Sequence, residues 1–144
     1  MLGTLAKWLR ICGFDTYYEN NFIDDNDLLE IAEKDNRVLI TRDKELIYNA
    51  KRRNIDVIQI NTIDIDEQLK IIIKKYSVEK DLILSRCLLC NSIVKPIKKE
   101  DVEGKVPEKV FENNENFWYC KKCKKYYWKG THFENMIKKI NNLS

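Results

Sequence analysis

Two cysteine pairs constrain this chain more than any other feature: Cys87-Leu-Leu-Cys90 and Cys120-Lys-Lys-Cys123, with 29 residues between them. A two-residue gap lets each pair wrap one face of a tetrahedral ion, and the intervening segment can fold as the hairpin that joins the pairs. The spacing predicts a structural zinc site ligated by Cys87, Cys90, Cys120 and Cys123, with iron as the other metal that thiolates accept. A closed set of four thiolates leaves no coordination position for substrate, so the ion serves folding and not catalysis. Asn91, next to the first pair, tolerates the left-handed backbone that such knuckles need, whereas Lys124 does so less readily. His132 is a further nitrogen donor, but four cysteines already complete the set. The fifth cysteine, Cys12, falls on an apolar helix face and reads as a small buried side chain.

The rest of the 144 residues divides in two. A stapled piece of about 60 residues buries too little apolar surface to stand comfortably alone. A boundary near Lys80 gives residues 1–80 and 81–144 as two domains. In the first, Leu2, Leu5, Ala6, Leu9 and Cys12 recur at helical spacing and Gly13 ends the helix. A short strand from Asp15 to Glu19 should follow. Asp24 or Asp25 caps a second helix with Leu28, Leu29 and Ala32 inward, and 37–41 reads as a buried strand. A third helix carries Leu46, Ile47 and Ala50, and 55–60 is a strand. Asp64 and Glu67 resemble a capping box opening a fourth helix with Leu69, Ile72, Ile73 and Tyr76. This alternation predicts a parallel-sheet α/β domain. Three strands are few for four helices, and a strand ahead of Met1 would complete the pattern. The second part carries short β-like runs at 92–97, 117–119 and 126–129 and a last helix over 133–140.

No apolar run is long enough to span a bilayer, and the opening MLGTLAKWLRICGF has no signal-peptide pattern. An odd cysteine count argues against a disulfide framework. The expectation is a soluble, cytoplasmic protein without a membrane partner; a homodimer is left open. Residues 1–80 carry 13 basic and 15 acidic side chains, residues 81–144 carry 13 and 8. A mildly acidic body with a basic attachment suits a nucleic-acid enzyme, and equally an ordinary lysine-rich surface. Lys121, Lys122, Lys124 and Lys125 bracket the second knuckle, and Tyr126, Tyr127 and Trp128 follow. Such interleaving suits phosphate contact and base stacking by Lys122, Lys125, Trp128 and Lys129. The same lysines would also neutralise the net charge of −2 on a zinc ion held by four thiolates.

Asp27 and Asp43 each fall at or just beyond a strand's carboxyl end, where open α/β sheets place their sites. Converging carboxylates there can hold magnesium or manganese; as helix caps, the same residues need no ion. Met1-Leu-Gly-Thr-Leu-Ala-Lys-Trp-Leu-Arg10, Gly13-Phe-Asp-Thr16 and Leu39-Ile-Thr-Arg-Asp43 resemble the PIN-like RNase domain of the Mut-seven C-terminal family. Ser85-Arg-Cys-Leu-Leu-Cys-Asn91, Val106-Pro107 and Tyr127-Trp-Lys-Gly-Thr-His132 resemble its zinc-ribbon part. The resemblance implies a PIN-like parallel sheet followed by a zinc ribbon, and a divalent-metal-dependent ribonuclease acting on RNA. It would place the family's acids on Asp27 and Asp43, with Glu45 as a further candidate. Arg42, Lys7 and Arg10 are implied phosphate contacts. In that family an aspartate at the end of a first strand stands just before the Met-Leu-Gly motif. The sequence begins at that Met, so the expectation is an N-terminally shortened form with an impaired metal site.

Overall fold

The computed structural model of the chain describes residues 2–19 and 23–143; Met1, where the first family motif begins, lies outside them. Helix α1 (Gly3–Ile11) forms from the expected spacing, burying Leu5, Ala6 and Leu9 while Lys7 stays in solvent. It ends at Gly13, whose φ of +95° is left-handed, a conformation glycine alone adopts at little cost. A Cβ at Gly13 would stand 2.5 Å from the Leu82 carbonyl oxygen, so the glycine also permits that close approach.

The strand expected from Asp15 to Glu19 is absent, and the segment is irregular. Side chains, not a neighbouring strand, take up much of its main chain. Arg10 Nε donates to the Thr16 carbonyl at 3.0 Å, Thr16 N–H donates to Asn91 Oδ1 at 2.9 Å, and Arg37 Nη1 donates to the Asp15 carbonyl at 3.4 Å.

Helix α2 (Asp25–Lys34) is capped by Asp24, which accepts the Asn26 N–H. Strand β1 (Leu39–Thr41), helix α3 (Lys44–Arg52), strand β2 (Val57–Gln59) and helix α4 (Ile65–Lys75) follow. Asp64 caps α4 by accepting the N–H groups of Asp66 and Glu67. Tyr76, expected inward, closes α4 in an extended conformation and is exposed. β1 and β2 pair in parallel, Leu39 opposite Val57 and Thr41 opposite Gln59. Among the described residues this sheet has two strands instead of three.

The sheet separates two apolar layers, as the period of two requires. Leu39 and Val57 meet Leu29, Ala32, Leu46 and Ala50 of α2 and α3. Ile58 and Ile60 meet Leu5 and Leu9 of α1 and Leu69 and Ile72 of α4. Each such buried leucine or isoleucine contributes about 1.5–3 kcal/mol. An apolar cavity of about 620 Å³ lies beside β1, with Leu5, Leu9, Tyr18, Leu28, Ile40 and Ile72 in its wall.

The second part is an antiparallel sheet of β3 (Lys95–Ile97), β4 (Phe117–Cys120) and β5 (Lys125–Trp128), in that spatial order. A six-residue helix, α5 (Glu108–Asn113), follows Pro107 and was not foreseen. Helix α6 (Thr131–Leu143) is longer than the predicted 133–140 and returns to the first part. Met136 and Ile140 are buried in the core of α1 and α4, and Lys139 Nζ lies 2.7 Å from Asp66 Oδ1 and 4.8 Å from the Trp8 ring. Among the described residues no helix is long and apolar enough to cross a membrane.

Candidate functional site

The two knuckles bring the sulfurs of Cys87, Cys90, Cys120 and Cys123 within 4.8 Å of one another. A tetrahedral zinc ion with Zn–S bonds of about 2.3 Å needs sulfurs about 3.8 Å apart, and Cys90 and Cys120 already stand at 3.5 Å. The donor set therefore fits zinc. Both knuckles turn through left-handed residues, Asn91 at φ 72° and Lys124 at φ 54°; the lysine accepts the conformation despite its lower tolerance. Asn91 N–H closes the first turn on the Cys87 carbonyl at 2.9 Å, and Cys123 N–H reaches Cys120 Sγ at 3.4 Å. His132 is exposed and not part of the group.

Tyr127 sits beneath the ligands. Its Oη accepts the Leu88 N–H at 3.1 Å and lies 3.1 Å from Cys87 Sγ. With an N–H already pointed at the oxygen, the hydroxyl proton is free to donate to the Cys87 thiolate. Desolvation raises the Cys90 thiol, but hydrogen bonds from the Ser92 side chain and backbone and from Cys120 and Cys123 outweigh it and bring it down to about 6. The shared hydrogen bond with Cys90, then burial, pushes Cys123 up to about 12. Cys12, away from the site, is raised to about 12 by burial, as suits an inert core thiol.

The first knuckle is clasped to the first part. Arg10 Nη1 donates to the Leu88 carbonyl at 2.9 Å, and Asn91 Nδ2 donates to Asp15 Oδ1 at 2.6 Å. Arg37 and Arg86 approach the same Asp15 oxygen at 3.2 and 3.9 Å. Partial burial raises the Asp15 carboxyl, but the Asn91 amide and the two guanidinium groups prevail and hold it below the usual carboxylate range. Arg10, for which a phosphate contact was expected, is 6% exposed and donates to carbonyls of both parts. Helical spacing had shown that its neighbours were apolar, yet the two carbonyls that pair with it come from loops whose path no periodicity reveals.

Asp43, two residues past the last residue of β1, caps α3, its Oδ1 accepting the N–H groups of Glu45 at 2.9 Å and Leu46 at 3.3 Å. The Asp43 N–H in turn donates to Thr41 Oγ1 at 3.1 Å. Asp27 lies in the first turn of α2 and, like Asp43 and Glu45, is exposed. Among the described residues the four cysteines are the only convergent group of three or more metal-ligating side chains. Asp27, Asp43 and Glu45 are not brought together in such a group, so the magnesium or manganese implied by the family has no complete ligand set there. Lys7 is exposed on α1, and Arg42 is half-buried beside Asp43. In the second part, Lys122 and Lys125 are exposed and Trp128 is half-buried. Lys129 lies with its Nζ 5.1 Å from the Trp118 ring and 5.3 Å from that of Phe133.

Fold and site together define a mixed α/β protein with a small parallel sheet, a separate antiparallel sheet and a four-cysteine cluster compatible with zinc. The chain belongs to the family of the Mut7-C RNAse domain, whose family model matches residues 1–140. No curated protein and no solved structure matches it.

Proposed function

We propose that this chain is an endoribonuclease that hydrolyses phosphodiester bonds of RNA with the aid of a magnesium or manganese ion. The match of the RNase-domain family over residues 1–140 carries this reading, because it spans both the acidic first part and the cysteine-bearing second part. The place of Asp43 adds support: it lies two residues beyond β1, at the first turn of α3, where α/β sheets gather their chemistry. Asp27 and Glu45 are the companion acids, and Lys7 and Arg42 the cations that hold phosphate. The ribbon shapes the protein through zinc and contributes Lys122, Lys125, Trp128 and Lys129 to RNA contact. A cytoplasmic setting keeps its thiols reduced.

Asp43→Asn is the informative substitution. Asparagine caps a helix as well as aspartate does, so the fold and zinc content should stay while the negative charge goes. Cleavage of an end-labelled single-stranded RNA, with magnesium or manganese added, should then fall more than about tenfold. Undiminished cleavage by this variant would remove Asp43 from the reaction.

A second reading, a non-catalytic RNA-binding ribbon, is favoured by one observation. The three acids do not form a ligand group among the described residues, and Asp43 is occupied as a cap. Salt-dependent RNA binding with no turnover in either ion would select it.

A further inference from the structure

The three-stranded sheet has two faces of different character. Cys120, Trp118 and Tyr127 lie toward the zinc site, packed with Cys87 and Val94. Alternation along β4 and β5 sends Tyr119, Tyr126 and Trp128 to the opposite face. Register sets Lys95, Tyr119 and Tyr126 in one row across the three strands, and Ile97, Phe117 and Trp128 in the next. Phe117 is fully buried, so the accessible surface is the first row with Trp128 at its margin. The Tyr119 and Tyr126 rings stand 4.8 Å apart, tilted by 40°, and both are half-buried. Among the described residues nothing hydrogen-bonds the two hydroxyls or the Trp128 indole N–H. Lys121, Lys122, Lys124 and Lys125, all exposed, crowd the turn at the end of this row.

We propose that this face, turned away from the zinc, is a stacking platform for single-stranded RNA. Tyr119, Tyr126 and Trp128 receive neighbouring bases, and Lys95 with Lys121, Lys122 and Lys124 of the β4–β5 turn takes the phosphates. The inference rests on the RNA reading above and deepens it by naming strandedness and the contact residues. Stacking needs bases with a free π-face, which a single strand offers and a duplex does not. The charge fits too: residues 81–144 hold 13 basic against 8 acidic side chains. Tyr119, Tyr126 and Lys95 thereby join Trp128 on the platform. Lys125, by the alternation of β5, and Lys129, with its Nζ 5.1 Å from the Trp118 ring, lie toward the zinc side and outside the platform.

The test uses the zinc-loaded full chain and a fluorescent 12-residue oligouridine, with no magnesium or manganese added, read by anisotropy. The pair Tyr119→Leu with Tyr126→Leu should bind at least about 30-fold more weakly, since each lost aromatic stacking partner costs about 1–3 kcal/mol. Tyr119→Phe with Tyr126→Phe should bind as the parent does, since the rings remain. Lys95→Ala should lower the slope of log affinity against log salt by about one. If the leucine pair keeps its zinc and its unfolding midpoint and still binds like the parent, the platform is wrong while the RNA reading stands. If the leucine pair does not fold, nitration of Tyr119 and Tyr126 in the parent decides. Protection by the oligomer supports the platform, and unchanged nitration overturns it. A parent that binds no single-stranded RNA overturns both readings and leaves the face to a protein partner.

Discussion

Replacing Arg10 by methionine separates a structural clasp from a phosphate contact. Methionine keeps the helix propensity and most of the length, but not the two donations to the Thr16 and Leu88 carbonyls at 3.0 and 2.9 Å. A hydrogen bond from a charged group is worth about 1.5–3 kcal/mol net, so the pair accounts for about 3–6. Removing the buried guanidinium also relieves its desolvation cost. The expected loss is therefore about 2–4 kcal/mol, which for a chain of this size lowers the melting temperature by about 5–15 °C. Urea unfolding followed by circular dichroism measures it, and competition with a chromogenic chelator reports whether the first knuckle loosens with the clasp. Arg10→Lys should fall between, because an ammonium group does not reproduce the planar fork. If Arg10→Met unfolds within about 0.5 kcal/mol of the parent while RNA affinity drops tenfold, the clasp is misassigned.

Gly13→Ala should cost more than about 2 kcal/mol in urea unfolding, since alanine meets both a left-handed φ and the Leu82 carbonyl. Chelating the zinc should melt the antiparallel sheet and speed amide exchange at Thr16, whose N–H depends on Asn91; unchanged exchange at Thr16 would contradict the coupling. Asp43→Ala should destabilise by about 1 kcal/mol through loss of the cap, and Asp43→Asn by far less, as thermal melts can show. Asp15 has its folded carboxyl held below the unfolded value of about 3.9. Its stabilisation is thus complete above that pH and is lost as pH falls through the folded value. Asp15→Asn should flatten the acid limb of stability below about pH 4, and an unaltered limb would remove Asp15 from it.

The features legible in the sequence are those written in local periodicity or spacing. Leu5, Leu9, Leu29, Leu46 and Leu69 are buried where helical spacing put them, and Asp24, Asp43 and Asp64 cap as their positions suggested. The cysteine spacing foretold the cluster. Long-range partners were not legible. The segment from Asp15 to Glu19 looks like a strand by composition but is held by Arg10, Arg37 and Asn91, the last of these 75 residues from Thr16. Tyr127 was grouped with its aromatic neighbours, yet strand alternation turns it alone of the three toward Cys87. Whether the acids meet depends on tertiary placement, which spacing cannot express.

The return of α6 to the core of α1 and α4 bears on how the chain is made. Synthesis is vectorial, and early segments emerge first. Here Leu5 and Leu9 wait for Met136 and Ile140, so the apolar layer under the parallel sheet stays open until translation has passed α6. Both knuckles are translated before α6, so zinc can close the ribbon before the older half of the chain is sealed.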